Sequence, residues 1–194
     1  MNKTTAIGAV LAATTDEPIV FTTGYACRIA RHLGDRQGNF YMTGSMGLAC
    51  AIGTGVALET ARTTVIVDGD GSVLMNPACL VTAGALATLP LVHVLLDDGS
   101  YASTGGQQVP SARADLCALA LASGYRMAAD TAGDAEFAEL LRTELATGNG
   151  PVLLRCVLTE PDPPVPPRID LHLPAHAHRF TTHCSTAPSR MRDQ

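Results

Sequence analysis

Apolar positions in this chain fall into two kinds of run that alternate along most of its length. Short, nearly uniform apolar or β-branched runs stand at 19–23, 39–42, 63–68, 91–96, 125–128 and 151–158. Their lack of polar alternation is that of parallel strands covered on both faces, and Thr63-Thr64-Val65-Ile66-Val67-Asp68 is the strongest of them. Between them lie segments of helical pattern at 25–33, 46–59, 76–88, 111–122 and 134–147. Asn76 and Pro77 read as the cap and first turn of the 76–88 helix. Gly47, Cys50, Ala51, Gly53 and Gly55 leave the 46–59 helix little bulk, which predicts close packing against another backbone, in the core or at a subunit interface. The β-α-β-α-β order predicts an α/β fold, a doubly wound, mostly parallel sheet with helices on both faces.

That pattern ends near Thr159. The run Glu160-Pro161-Asp162-Pro163-Pro164-Val165-Pro166-Pro167 excludes helix and central strand, because proline lacks the N–H that both require. The predicted organisation is a ligand-binding domain over 1–159 and a Pro/His-rich extended arm over 160–194.

Composition narrows the function classes. Only 4% of the 194 residues are aromatic against 46% hydrophobic, so the core must be built from Ala, Val, Leu and Ile. A net charge of −5 with no Lys/Arg run argues against nucleic acid as a partner. The six cysteines are scattered without a CxxC pair and fall mostly in apolar segments, as small hydrophobes do. The apolar stretch from Ala6 to Ala13 is too short for a membrane span and weak as a signal peptide, so the expectation is a cytoplasmic protein. His172, His176, His178, His183 and Cys184 match no established zinc spacing, and His93 lies within a strand where a core histidine is expected.

The chemistry concentrates in two turns. Gly69-Asp70-Gly71-Ser72 ends one apolar run, and Asp97-Asp98-Gly99-Ser100-Tyr101 ends the next. Turns at the carboxyl ends of parallel strands converge on one crevice. Two acidic turns, one rich in glycine amides, suit a divalent cation and the phosphates it holds. Either turn alone would be an ordinary strand-to-helix connection.

Together they resemble the cofactor motif of thiamine diphosphate enzymes: GDG, a spacer of this length, then an acidic-amide pair. The segments Phe40-Tyr41-Met42-Thr43-Gly44-Ser45-Met46-Gly47 and Ser103-Thr104-Gly105-Gly106-Gln107 are similar to the phosphonopyruvate and sulfopyruvate decarboxylase branch, over roughly residues 18–158. The resemblance implies Mg²⁺ held by the side chains of Asp70 and Asp98 and the main chain of Ser100. Gly69, Gly71 and Ser72 would hold the diphosphate, with Tyr101 and Ser103 also against the cofactor. Gly44, Ser45 and Met46 would meet the aminopyrimidine, the Met46 side chain wedging the cofactor into its bent form, and Thr104 and Gln107 are substrate candidates.

Two departures follow. Asp98 stands where the family has Asn, so an extra negative charge lies beside the diphosphate and should weaken cofactor binding unless the metal or a nearby cation offsets it. The activating glutamate of the family lies on a pyrimidine-binding domain that has no room in 194 residues. The resemblance therefore implies one half of a split enzyme, active only with a pyrimidine-binding (alpha) subunit in a hetero-oligomer. The implied reaction is decarboxylation of phosphonopyruvate to phosphonoacetaldehyde. Sulfopyruvate decarboxylation, carboligation and a non-catalytic partner-binding module are the alternatives.

Overall fold

A computed structural model describes residues 1–186. Six parallel strands form the central sheet: β1 (Ile19–Phe21), β2 (Asn39–Tyr41), β3 (Thr64–Gly69), β4 (Leu91–Asp97), β7 (Met127–Thr131) and β8 (Val152–Val157). Their order is β2-β1-β3-β4-β8-β7, and every pairing is parallel. A two-stranded hairpin, β5 (Ser100–Tyr101) and β6 (Gln107–Gln108), stands apart from the sheet. The order reverses beside β1, which places the crevice for a ligand between the carboxyl ends of β1 and β3.

Helices cover both faces because residues one apart on a strand point oppositely. Val65 and Val67 of β3 pack toward α1 (Lys3–Ala13), α2 (Tyr25–Leu33) and α7 (Asp134–Thr147), while Ile66 packs toward the other layer. That other layer holds α3 (Ala49–Thr60), α4 (Asp70–Met75), α5 (Ala78–Gly84) and α6 (Leu116–Ala122). The small residues of α3 allow a close approach, though to a side chain rather than to another backbone: a Cβ on Gly53 would lie 2.3 Å from Ile66 Cγ1, so the helix rests directly on β3. Its opposite side leaves Leu58 62% exposed.

Three expectations need correction. The 76–88 helix is shorter, Ala78–Gly84, and a separate short helix, Asp70–Met75, precedes it, because the chain is already helical from Asp70. Asn76 breaks between them at φ −148°, and its amide donates to the Gly47 carbonyl rather than capping α5. The segment 111–122 opens as a 3-10 turn (Pro110–Arg113), and α6 starts afresh at the Asp115 cap.

The third correction concerns the arm. Residues 159–172 are extended, as the prolines dictate, but Leu173–Ser185 form a helix, α8. His172 caps it and Pro174 sits in its first turn. It seals the open edge of β2: the Tyr41 N–H donates to His176 Nε2 at 3.0 Å. Phe180 packs on Phe40, and Arg179 clamps Asp35 at 2.7 and 3.0 Å. An edge strand left open invites pairing with other chains, and α8 removes that liability. Positions 187–194 of the expected arm lie outside the described residues. His93 is a core residue, wholly buried on β4, with Nδ1 3.2 Å from the Tyr125 hydroxyl and Nε2 3.7 Å from the Asp68 carboxylate. No helix among the described residues is long and apolar enough to cross a membrane.

Candidate active site

At the carboxyl edge, the ends of β1, β2, β3 and β4 open into a cavity of about 250 Å³. It is lined by Gly44, Ser45, Met46, Gly69, Asp70, Gly71, Ser72, Asp98, Ser100, Tyr101, Ser103 and Thr104. Residues far apart in sequence and selected by motif thus meet on one surface. Gln107 does not line the cavity; it sits on β6, paired with Tyr101 across the hairpin.

The two acidic turns are tied together. Asp70 Oδ2 accepts from the Gly99 N–H at 3.1 Å and from the Ser111 hydroxyl at 2.9 Å, and the same hydroxyl lies 3.1 Å from Asp97 Oδ1. Arg155 holds Asp97 at 2.7 Å. Burial, with the Asp97 carboxylate nearby, pushes the Asp70 carboxyl up to about 6. A divalent cation at this carboxylate would offset the cost of burying its charge.

Ser72 is the second tie. Its hydroxyl accepts from the Gly47 N–H at 3.1 Å and lies 3.2 Å from the Thr22 hydroxyl, joining the ends of β1, β2 and β3. Gly71 is fixed by contact: a Cβ there would lie 2.3 Å from Tyr101 Cε1, so the ring packs on bare backbone. On the rim, Ser45 has a φ of +57°, a left-handed conformation that a side chain adopts at a cost. Strained residues of this kind cluster at functional sites.

The sequence motifs do not mark every lining group: Lys3, Thr22, Thr23, Tyr25 and Asp68 are among those they miss. Lys3, at the first turn of α1, forms an ion pair with Asp98 and lies 3.6 Å from Asp162 of the arm. It is the nearby cation that Asp98 calls for. No local signal in the sequence marks it, since the contact spans 95 positions. Thr22 and Thr23 were detectable, as hydroxyls at the carboxyl end of a strand beside the topological switch point.

The donor set fits magnesium and a diphosphate. Two carboxylates and a main-chain carbonyl are hard oxygen donors, and the hydroxyls of Thr22, Thr23 and Ser72 with the amides of the 69–72 turn are anion donors. Among the described residues no three His, Cys, Asp or Glu side chains converge as metal ligands, so a metal here would draw its remaining donors from main chain and phosphate.

Residues 22–156 match the model of the thiamine pyrophosphate enzyme, C-terminal TPP binding domain, and the chain belongs to that family. Within it, 143 residues are 46% identical to the phosphonopyruvate decarboxylase of Streptomyces viridochromogenes, across 74% of this chain and 36% of that protein. The sulfopyruvate decarboxylase subunit beta of Methanothermobacter thermautotrophicus is 36% identical over 93% of this chain and 94% of its own length. This chain therefore spans about a third of the phosphonopyruvate decarboxylase and nearly all of the beta subunit. Among solved structures, a putative thiamin diphosphate-dependent enzyme from Mycobacterium smegmatis shares the fold, with a TM-score of 0.69 at 23% identity over 82% of this chain and 32% of that one.

Proposed function

We propose that the chain is the Mg²⁺- and diphosphate-binding subunit of a split thiamine diphosphate-dependent 2-oxo acid decarboxylase, acting on phosphonopyruvate with a pyrimidine-binding partner subunit. The observation that carries this is the convergence of Asp70, Asp98 and Lys3 with the 69–72 turn in one cavity at the switch point of the sheet.

Each residue then has a task. Asp70, Asp98 and the Ser100 carbonyl hold the metal, and Lys3 balances the charge that Asp98 adds. Ser72, Thr22, Thr23 and the amides near Gly71 hold the diphosphate, and Tyr101 and Ser103 wall it in. Gly44, Ser45 and Met46 face the pyrimidine side, where the Met46 thioether supplies an apolar wedge. Thr104, beside the metal turn, is placed to meet substrate. When bound, thiamine diphosphate supplies the electron sink for loss of carbon dioxide, and the protein contributes binding, orientation and electrostatics. On this reading the carboxylate that activates the cofactor comes from the partner subunit.

Sulfopyruvate is the second reading, favoured by the beta subunit whose length this chain matches almost end to end. Co-expression with the polypeptide carrying the pyrimidine-binding domain tests both. Carbon dioxide release from phosphonopyruvate, dependent on both chains, on Mg²⁺ and on thiamine diphosphate, is the expected result. Faster release from sulfopyruvate selects the second substrate, and a complex inert toward every 2-oxo acid contradicts the proposal.

A further inference from the structure

A second cavity, of about 390 Å³, opens on the same sheet edge and shares Thr23 and Ser103 with the first. Its character is opposite. The cofactor cavity carries Asp68, Asp70 and Asp98, whereas the second is lined by two guanidinium side chains, Arg28 and Arg168, and by no acidic residue. The hydroxyls of Thr23, Thr43 and Ser103 add neutral donors. The wall between the two is thin: a Cβ on Gly24, at φ +100°, would lie 3.1 Å from Ser103 Oγ.

The arginines are held differently. Arg28, on α2, lies over the Tyr25 ring, 5.1 Å from its centroid, and its Nε donates to the Pro166 carbonyl at 2.7 Å, with Nη2 on the same oxygen. That bond anchors the extended segment, and the stiff Pro166-Pro167 pair then delivers Arg168 to the cavity mouth. Among the described residues Arg168 makes no hydrogen bond and no ion pair. An exposed arginine beside a cavity without acids is a ready partner for a tetrahedral oxyanion, which guanidinium binds through paired N–H groups.

We infer that this second cavity is the subsite for the anionic tail of the substrate, a phosphonate or sulfonate, with Arg168 its principal contact and Arg28 the residue that positions Arg168. The inference rests on the decarboxylase reading above and extends it. An anion held there would give binding energy remote from the reacting carbon. It would also separate a tailed 2-oxo acid from pyruvate, which has no second anionic group.

The test uses the complex with its pyrimidine-binding partner and the variants Arg168→Ala and Arg168→Lys. The ratio of kcat/KM on phosphonopyruvate to kcat/KM on pyruvate should fall about 50-fold in Arg168→Ala, as expected for loss of a paired charge-assisted contact. Most of the fall should appear in KM, and Arg168→Lys should restore part of it. An unchanged ratio overturns the inference. So does a rise in the Kd for Mg²⁺–thiamine diphosphate with the ratio intact, because it hands the arginine to the cofactor's diphosphate. Calorimetric titration with phosphonoacetate reads the subsite without turnover. Binding to the wild-type complex that Arg168→Ala abolishes supports the subsite even where no 2-oxo acid is decarboxylated, and equal binding by both, or none to the wild type, overturns it.

Discussion

Two cavities share one sheet edge and a wall formed by Thr23 and Ser103, yet one gathers carboxylates and the other guanidinium groups. The acidic cavity is built by turns that leave β3 and β4, so its donors are fixed by the sheet itself. Much of the basic cavity comes from α2 and from the segment beyond Thr159, which reaches it through a proline run. Rigid strand ends suit chemistry common to a family, and a segment outside the sheet suits what differs between members. On the proposed reading, a cation with its diphosphate would lie on one side of Ser103 and a substrate's anionic tail on the other.

The largest expected effect breaks the acidic side. Asp70→Ala removes the proposed metal ligand and should weaken Mg²⁺-dependent thiamine diphosphate binding by about 100-fold or more, measured by calorimetry on the complex. Gly71→Ala comes next. Its Cβ would meet the Tyr101 ring at 2.3 Å, so the hairpin must shift, and urea unfolding should show a loss of about 1–3 kcal/mol. A destabilised Gly71→Ala chain should still bind phosphonoacetate if the two cavities are as separate as their linings indicate.

A double-mutant cycle on Lys3 and Asp98 sharpens the charge argument. Lys3→Met should weaken cofactor binding by about tenfold beside Asp98, and by much less beside Asp98→Asn, a coupling of about 1 kcal/mol. Equal losses in both backgrounds would show that Lys3 does not balance Asp98.

The smallest effect is a pH dependence. Asp70 titrates near 6 in the folded chain and at 3.8 when free, so the folded state holds the proton more tightly. Its contribution to stability without metal is therefore full below pH 3.8 and is lost as pH rises through about 6. Metal binding needs the carboxylate, so Mg²⁺ affinity should fall by up to tenfold per pH unit below about 6. Both are read from thermal melts with and without Mg²⁺ across that range, and Asp70→Asn should flatten each.

Much of this was legible in the chain because parallel strands buried on both faces write themselves as unbroken apolar runs. The strand at 64–69 and the helix at 25–33 lie where the pattern places them. The turns at 69–72 and 97–101 were readable for the same reason, since a strand's carboxyl end is visible wherever its apolar run stops. Three features were not. Lys3 reaches Asp98 through tertiary packing across 95 positions, which no local pattern encodes. The break between α4 and the shortened α5 follows from Asn76 serving Gly47 rather than its own helix. The helix Leu173–Ser185 was hidden by its histidines and proline, although His172, His176 and Phe180 recur at the four-residue spacing of one helical face. His176 and Phe180 are the buried pair on that face, set against β2.

The most direct test is the melting temperature of the complex with its pyrimidine-binding subunit, before and after addition of Mg²⁺ and thiamine diphosphate together. A ligand that binds only the folded state raises stability by about 2.7 kcal/mol at a hundred times its Kd, enough for a shift of several degrees. The account predicts that shift in the wild-type complex, its loss in Asp70→Ala, and its dependence on both additives. No shift in the wild type, or an undiminished one in Asp70→Ala, would contradict it.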